Sequence, residues 1–276
     1  MGLPHKDSSA CQLSDRTIED FGEQWTTFQD ASGFFGSKNL LADFLEPFDV
    51  ANISNTRMAD IGAGTGRHVA ACLEFGAKEV FAIEPSQAVE VIRKRFATDG
   101  RVKILNIRGD QISADLNLDL IMSVGVIHHI PDPHPVVCAA YNALRPGGVL
   151  VVWLYGYEGN KLYLAFALPL RFLLRPFPLR IVYSISWILD LPLRLYISAC
   201  KVFSALPLAV YMTQILGRLP PDKRRLVIYD QLKPAYAKYY KKDEAIDLLQ
   251  KAGFEVEAHH RKGYSWLVIG HKRGKP

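Results

Sequence analysis

The stretch Asp60-Ile61-Gly62-Ala63-Gly64-Thr65-Gly66 sets three glycines at alternate positions behind a carboxylate. Glycine lets a backbone turn sharply and approach a ligand with no side chain in between. A helix opening after such a loop offers its first N–H groups as free donors. Glu84 follows eighteen residues after Gly66, where a carboxylate can accept both hydroxyls of a ribose. Together these groups make a nucleoside site. The spacing G-x-G-x-G lacks the third glycine of the dinucleotide fingerprint, whose loop cradles a pyrophosphate. A sulfonium nucleoside has no pyrophosphate, and its amino-acid end carries an ammonium that needs an acceptor such as Asp60.

Such a loop has to be held by strands and helices. Apolar runs at Arg57–Ile61, Glu79–Ile83, 102–107, Leu118–Val124 and 149–154 read as strands, the last one following a Pro146-Gly147-Gly148 turn. Helical segments fall between them at 67–75, 87–97 and 134–143. Strands alternating with helices predict crossover units and a parallel sheet covered on both faces. A helix over 243–251 and strands over 254–258 and 265–269, joined by a Lys262-Gly263 turn, predict an antiparallel pair at the sheet edge. The fold class is α/β: a Rossmann-like, seven-stranded, mostly parallel sheet with an antiparallel edge strand, an N-terminal helical lid and an inserted helical cap. The expected division is 1–55 for the lid, 56–160 for the core, 161–240 for the cap and 241–276 for the last helix and edge strands.

Five motifs in this order, each at a strand end, resemble the class I S-adenosylmethionine (SAM) dependent methyltransferases. They are Asp60-Ile-Gly-Ala-Gly-Thr-Gly66, Ile83-Glu84-Pro85, Gly109-Asp110-Gln111, Asp119-Leu-Ile-Met-Ser-Val124 and Leu144-Arg-Pro-Gly-Gly148. The likeness covers residues 57–155 well and 243–272 in outline, and its motifs are similar to those of the ubiquinone and menaquinone methyltransferase-like group. It implies SAM as cofactor and S-adenosylhomocysteine as product. Asp60 would then lie near the methionine amino group through water. Gly62, Ala63 and Gly64 would flank the methionyl part, Glu84 and Pro85 the ribose, and Asp110 the adenine amine. The Gln111 backbone would meet a ring nitrogen, and Val124 would end the fourth strand beside the site.

Methyl transfer from a sulfonium is an in-line displacement, so the protein must align the acceptor and exclude water. A base is needed only where the acceptor holds its proton at neutral pH. By the resemblance, the loop Gly125-Val-Ile-His128-His129-Ile-Pro-Asp132 faces the methyl group, and either histidine can serve as base or can simply shape the loop. Phe21-Gly22-Glu23-Gln24-Trp25 looks like a lid segment in which Trp25 closes over the cofactor or packs a helix on the sheet. The stretch from Tyr229 to Tyr240 is dense in tyrosine, which offers an apolar wall and a hydroxyl in one side chain. Tyr229, Tyr236 and Tyr240 are its candidates for lining the acceptor pocket, and Tyr239 joins the histidines as a candidate catalytic residue. No metal site is expected: His259-His260 sits on a strand, where neighbours point apart, and His128-His129 has no companion ligands at a familiar spacing.

The 276 residues are 49% hydrophobic and 22% charged, which excludes a disordered or fibrous chain. Cys11, Cys72, Cys138 and Cys200 are too scattered for a zinc ribbon or disulfide framework and read as a reducing, cytoplasmic setting. The amino terminus has no apolar signal core, and Lys6 breaks the myristoylation pattern. A net charge of +5 with no recognisable nucleic-acid module does not point to DNA or RNA. Residues 161–217 are the exception to the alternation. Lys161, Arg171, Arg175, Arg180, Arg194 and Lys201 stand there against Asp190 alone, in a run rich in Leu, Phe and Ile. The longest uncharged run, 202–217, is shorter than a membrane-spanning helix needs, so none is expected. Prolines at 169, 176, 178, 192 and 207 are expected to cut the segment into short helices. It can dock peripherally on a membrane surface, bury itself over a hydrophobic pocket, or form a homodimer interface.

The sequence thus points to SAM-dependent methylation of a hydrophobic or amphipathic small molecule, a lipid-linked one included, with O-methylation favoured. The alternatives are a soluble sugar or secondary-metabolite acceptor, a non-catalytic SAM-binding protein at a membrane, and a dinucleotide oxidoreductase.

Overall fold

The computed structural model describes residues 8–174 and 176–274; the amino-terminal motif readings and Arg175 lie outside them. Strands β1 (Arg57–Ile61), β2 (Glu79–Ile83), β3 (Val102–Leu105), β4 (Leu118–Val124) and β5 (Leu144–Tyr155) pair in parallel. β7 (Ser265–His271) runs antiparallel to both β5 and β6 (Glu255–Arg261), and the sheet order is β3-β2-β1-β4-β5-β7-β6. The order reverses between β1 and β4, which opens a crevice at their carboxyl ends.

Helices α3 (Arg67–Glu74), α4 (Val89–Arg95), α5 (His134–Ala143) and α10 (Lys242–Gln250) cover the sheet as the spacing predicts. Two apolar clusters sit on its two faces, one around Ile83, Ile121 and Val152, the other around Met58, Val80 and Leu267. The inner strands β1, β2, β4, β7 and the second half of β5 are buried on both sides, which explains their continuous apolar runs. Several boundaries differ from the sequence reading, β6 running on to Arg261 and β7 to His271 among them. β3 stops at Leu105, and β5 begins at Leu144 with its register broken between the Leu118↔Leu144 and Leu120↔Val149 pairs. Pro146 has no N–H for the ladder and Gly147 takes φ 78°, so the expected turn is a bulge within the strand.

The lid is α1 (Ser8–Thr27), followed by α2 (Lys38–Leu45). The cap holds α6 (Lys161–Leu174), α7 (Leu179–Val202), α8 (Ala209–Gln214) and α9 (Pro221–Leu232). It has an apolar core of its own around Val182, Ile197, Leu226 and Tyr229, against which Trp25 and Phe28 of the lid also pack. Pro169 and Pro192 do not cut the cap as expected, since α6 and α7 run through them. Both rings, and the Ala165 and Ile188 residues whose carbonyls they release, are exposed. α7 consequently becomes the one helix among the described residues long and apolar enough to cross a membrane, although uninterrupted uncharged length predicted none. Its mid-point carries Asp190, buried and held by Arg224 (Oδ2 to Nη2, 3.0 Å) inside the cap.

Candidate active site

A cavity of about 440 Å³ lies at the carboxyl ends of β1, β2 and β4. α1 roofs it with Ile18, Phe21, Gln24 and Trp25, and α8 and α9 close one end. Gly62, Ala63, Gly64, Glu84, Pro85, Asp110 and Val124 line it, as the resemblance implies.

The loop after β1 fits the cofactor for local reasons. Gly62 has φ 78°, and a Cβ there would meet Val126 Cγ2 at 2.4 Å, so no other residue fits without moving Val126. The Glu84 carboxylate spans two backbone donors, accepting from the Gly64 N–H at 2.8 Å and the Ser86 N–H at 2.9 Å. Each oxygen keeps a further lone pair for a hydroxyl. Trp25 stands directly over Gly64, where an added Cβ would lie 3.3 Å from its indole Nε1. Trp25 thus covers the glycine loop and packs on the cap as well.

Asp60 lies behind this wall instead of lining it. It is buried, and neither carboxylate oxygen has a hydrogen-bond partner among the described residues. Burial pushes its carboxyl up to about 7; Arg67 opposes that and Glu84 adds to it. An unanswered carboxylate beside the loop suits an ammonium reached through water. Gln111 is a correction: it does not line the cavity, and its side-chain oxygen accepts the Arg108 N–H at 3.0 Å.

The other end of the cavity is aromatic. Trp153 and Tyr155 come from the end of β5, Tyr211 from α8, and Leu226, Asp230 and Gln231 from α9. Gln231 Nε2 donates to Tyr155 Oη at 2.6 Å, and Tyr239 and Tyr163 donate to Gln231 Oε1 at 2.9 and 3.0 Å. Arg171 Nε donates to the Gln231 carbonyl at 2.8 Å. Asp230 accepts from Gln24 Nε2 at 3.1 Å. Burial raises the Asp230 carboxyl, while the Gln24 bond and the Arg67 and Arg171 charges draw it back.

The histidines do not make a base poised near neutrality. His129 lines the cavity, but its Nδ1 sits 2.7 Å from the Tyr236 carbonyl, which keeps the proton there. Burial takes His129 down to about 3. His128 is wholly buried, stacks on Tyr155 at 3.8 Å between centroids, does not line the cavity, and is held well below its ordinary value by burial.

The tyrosine stretch is also corrected. Tyr229 fills the cap core beside Phe28 and Tyr183. Tyr240 packs against the sheet, and its N–H donates to the Tyr155 carbonyl. Tyr236 offers its carbonyl to His129. None of the three lines the cavity, and Tyr239 acts on it only through Gln231. Sequence reasoning missed Trp153, Tyr155 and Tyr211, and also the polar pair Asp230 and Gln231. Asp230 and Gln231 lie four and five residues after Leu226 on α9, and that helical spacing leading into the tyrosine-rich stretch is the signal that finds them.

Residues 59–150 match a family model described as a methyltransferase domain. The tRNA U34 carboxymethyltransferase of Vibrio cholerae is 30% identical over 116 residues, 41% of this chain and 36% of its own length. The enzyme of that name from Methylococcus capsulatus is 32% identical over 115 residues, 40% of this chain and 36% of its own. The matched stretch thus spans about a third of these relatives' length. Among solved structures, human N-acetylserotonin methyltransferase in complex with SAM superimposes with TM-score 0.52 at 13% identity, over 99% of this chain and 61% of its own. The Burkholderia thailandensis 1,6-didemethyltoxoflavin-N1-methyltransferase, bound to S-adenosylhomocysteine, gives 0.51 at 13% identity over 99% and 92%. Both share the fold. The family match falls on the strands whose loops line the cavity: residues 59–150, a third of the chain, are similar to a methyltransferase domain, and the whole shares its fold with enzymes solved with SAM or S-adenosylhomocysteine bound.

Proposed function

We propose that the protein methylates a hydroxyl of a hydrophobic or amphipathic small molecule held between the glycine loop and the cap. The observation that carries this reading is the cap end of the cavity, walled by Trp153, Tyr155, Tyr211, Ile215 and Leu226, with Asp230 and Gln231 as its polar groups on α9. Such a site, apolar with a few convergent polar groups, suits a small organic acceptor.

The bound cofactor supplies an electrophilic methyl group. The chain's own residues do the rest. Trp25 and Phe21 cover the site from the lid and keep water out. The aromatic wall holds the acceptor's apolar part. Asp230 takes the proton as the O–H bond breaks and the new O–C bond forms, its carboxyl having been raised toward the working pH by burial. All four cysteines are free, and we assign the reaction to the cytoplasm.

A second reading takes its support from the tRNA U34 carboxymethyltransferase relatives and makes an RNA base the acceptor. One experiment separates the two. Purified protein and methyl-labelled SAM are incubated with an extract, which is divided into organic-soluble, aqueous small-molecule and RNA fractions. Label in the organic fraction is the expected result; label in RNA or only in aqueous small molecules overturns it. A Gly64→Arg control, whose side chain enters the cofactor end, should abolish all transfer.

A further inference from the structure

All fourteen large apolar side chains exposed among the described residues fall between Leu162 and Val210, in the cap. They are not scattered. On α7, Ile181, Ile188, Leu195 and Val202 recur every seven residues, roughly two helical turns, and form one exposed row. Ile188 and Val202 are 73% and 74% exposed. The residues just before them, Arg180, Trp187, Arg194 and Lys201, form a parallel row that is basic apart from one tryptophan. On α6, Leu162, Phe166, Phe172 and Leu173 are likewise turned outward.

The polar groups on the outer side of α7 are answered internally. Ser184 Oγ donates to the Arg180 carbonyl at 2.8 Å, and Ser198 Oγ to the Arg194 carbonyl at 3.0 Å. Asp190, the one acidic residue between 161 and 210, faces inward and pairs with Arg224. The outer surface therefore joins an apolar stripe to a basic flank with no exposed carboxylate in the segment.

We propose that the outer side of α6 and α7 docks in the interface of an anionic lipid bilayer, with α7 lying in the membrane plane. The Ile181–Ile188–Leu195–Val202 row enters the acyl boundary. Arg180, Arg194 and Lys201 reach the lipid phosphates beside Trp187, whose amphipathic ring suits that depth. A second copy of the chain fits less well, because a symmetric pairing of this surface sets the basic flanks against each other with no acid between them. Crossing the bilayer is disfavoured by the inner side of α7, where Asp190 bonds to Arg224 of α9. The proposal does not depend on the identity of the acceptor, although a docked cap would meet a lipid-soluble one at its source.

The test is flotation of the full-length protein with vesicles of phosphatidylcholine alone and with phosphatidylglycerol added, at low and high salt. The expected result is flotation with the anionic vesicles that weakens at high salt. Ile188→Glu with Leu195→Glu should abolish it, and Arg194→Glu with Lys201→Glu should lower it on the order of tenfold or more. SAM binding measured on each variant reports an intact fold and keeps failure here separate from failure of the methyl-transfer reading. Absent flotation, flotation unaltered by either double variant, or a dimer in light scattering that Ile188→Glu with Leu195→Glu splits without any vesicle binding, each overturns the proposal.

Discussion

Gly64 and Glu84 are joined by a 2.8 Å hydrogen bond from the backbone N–H of one to a carboxylate oxygen of the other. It fastens the glycine loop after β1 to the end of β2, and the second Glu84 oxygen, bonded to the Ser86 N–H, fixes the carboxylate's own orientation. The carboxylate that the resemblance assigns to a ribose thus also shapes the loop beside it.

Glu84→Gln should therefore do more than weaken one contact. Its amide turns an NH₂ donor toward a backbone N–H, at a cost of about 1–3 kcal/mol for a buried group left unsatisfied. SAM affinity measured by calorimetry and the melting temperature of the ligand-free protein should fall together. A loss of affinity with unchanged melting would separate the two roles.

Asp60 predicts a pH dependence. Its carboxyl is raised by burial from the usual 3.8 to about 7, so the folded protein favours the neutral form. The stability this confers relative to the charged form is present below the usual value and lost as pH rises toward about 7, by at most about 4 kcal/mol. Asp60→Asn removes that loss, so the mutant's advantage in melting temperature over the parent should grow between pH 5 and pH 8. An ammonium nearby favours the charged carboxylate, so SAM should bind the parent more tightly as pH rises through about 7 and release a proton below it. A pH-independent affinity in the parent would remove Asp60 from the cofactor's surroundings.

Asp230→Asn should lower kcat by about 10²–10⁴ with a smaller change in acceptor KM, since a general base acts in the transition state. His129→Gln, at a group burial takes down to about 3, should cost far less. The reverse order in steady-state rates would return the base to the loop after β4.

The Asp190–Arg224 pair predicts a stability effect far from the chemistry. Asp190→Ala leaves the buried Arg224 guanidinium without its carboxylate and should destabilise the protein by about 3–5 kcal/mol in chemical denaturation. Asp190→Ala with Arg224→Met should recover much of that.

The cofactor end was legible in the sequence because backbone needs dictate it. Gly62 has no room for a side chain, and Glu84 closes a strand of clear apolar period, so residue type and spacing carry the geometry. The acceptor end was not, because it depends on which side of each cap helix turns inward. Tyr229 and Asp230 are neighbours in sequence, yet one fills the cap core and the other lines the cavity. His128 and His129 are candidate bases, beside a loop-shaping role, only on the ordinary pKa of a histidine, a property that burial removes in the fold. Pro169 and Pro192 misled in the opposite way, since a proline on the exposed side of a helix leaves its freed carbonyl to water.

The amide of Gln231 settles a question of hydrogen direction. With Tyr163 and Tyr239 both donating to its oxygen, its nitrogen is turned to Tyr155, whose hydroxyl oxygen receives that bond. The Tyr155 hydroxyl hydrogen is thereby spared for something else on the cavity side. The chamber so presents a phenolic proton from the sheet and a carboxylate from the cap, and a guest able to take the first while yielding to the second is met at both ends of its polarity.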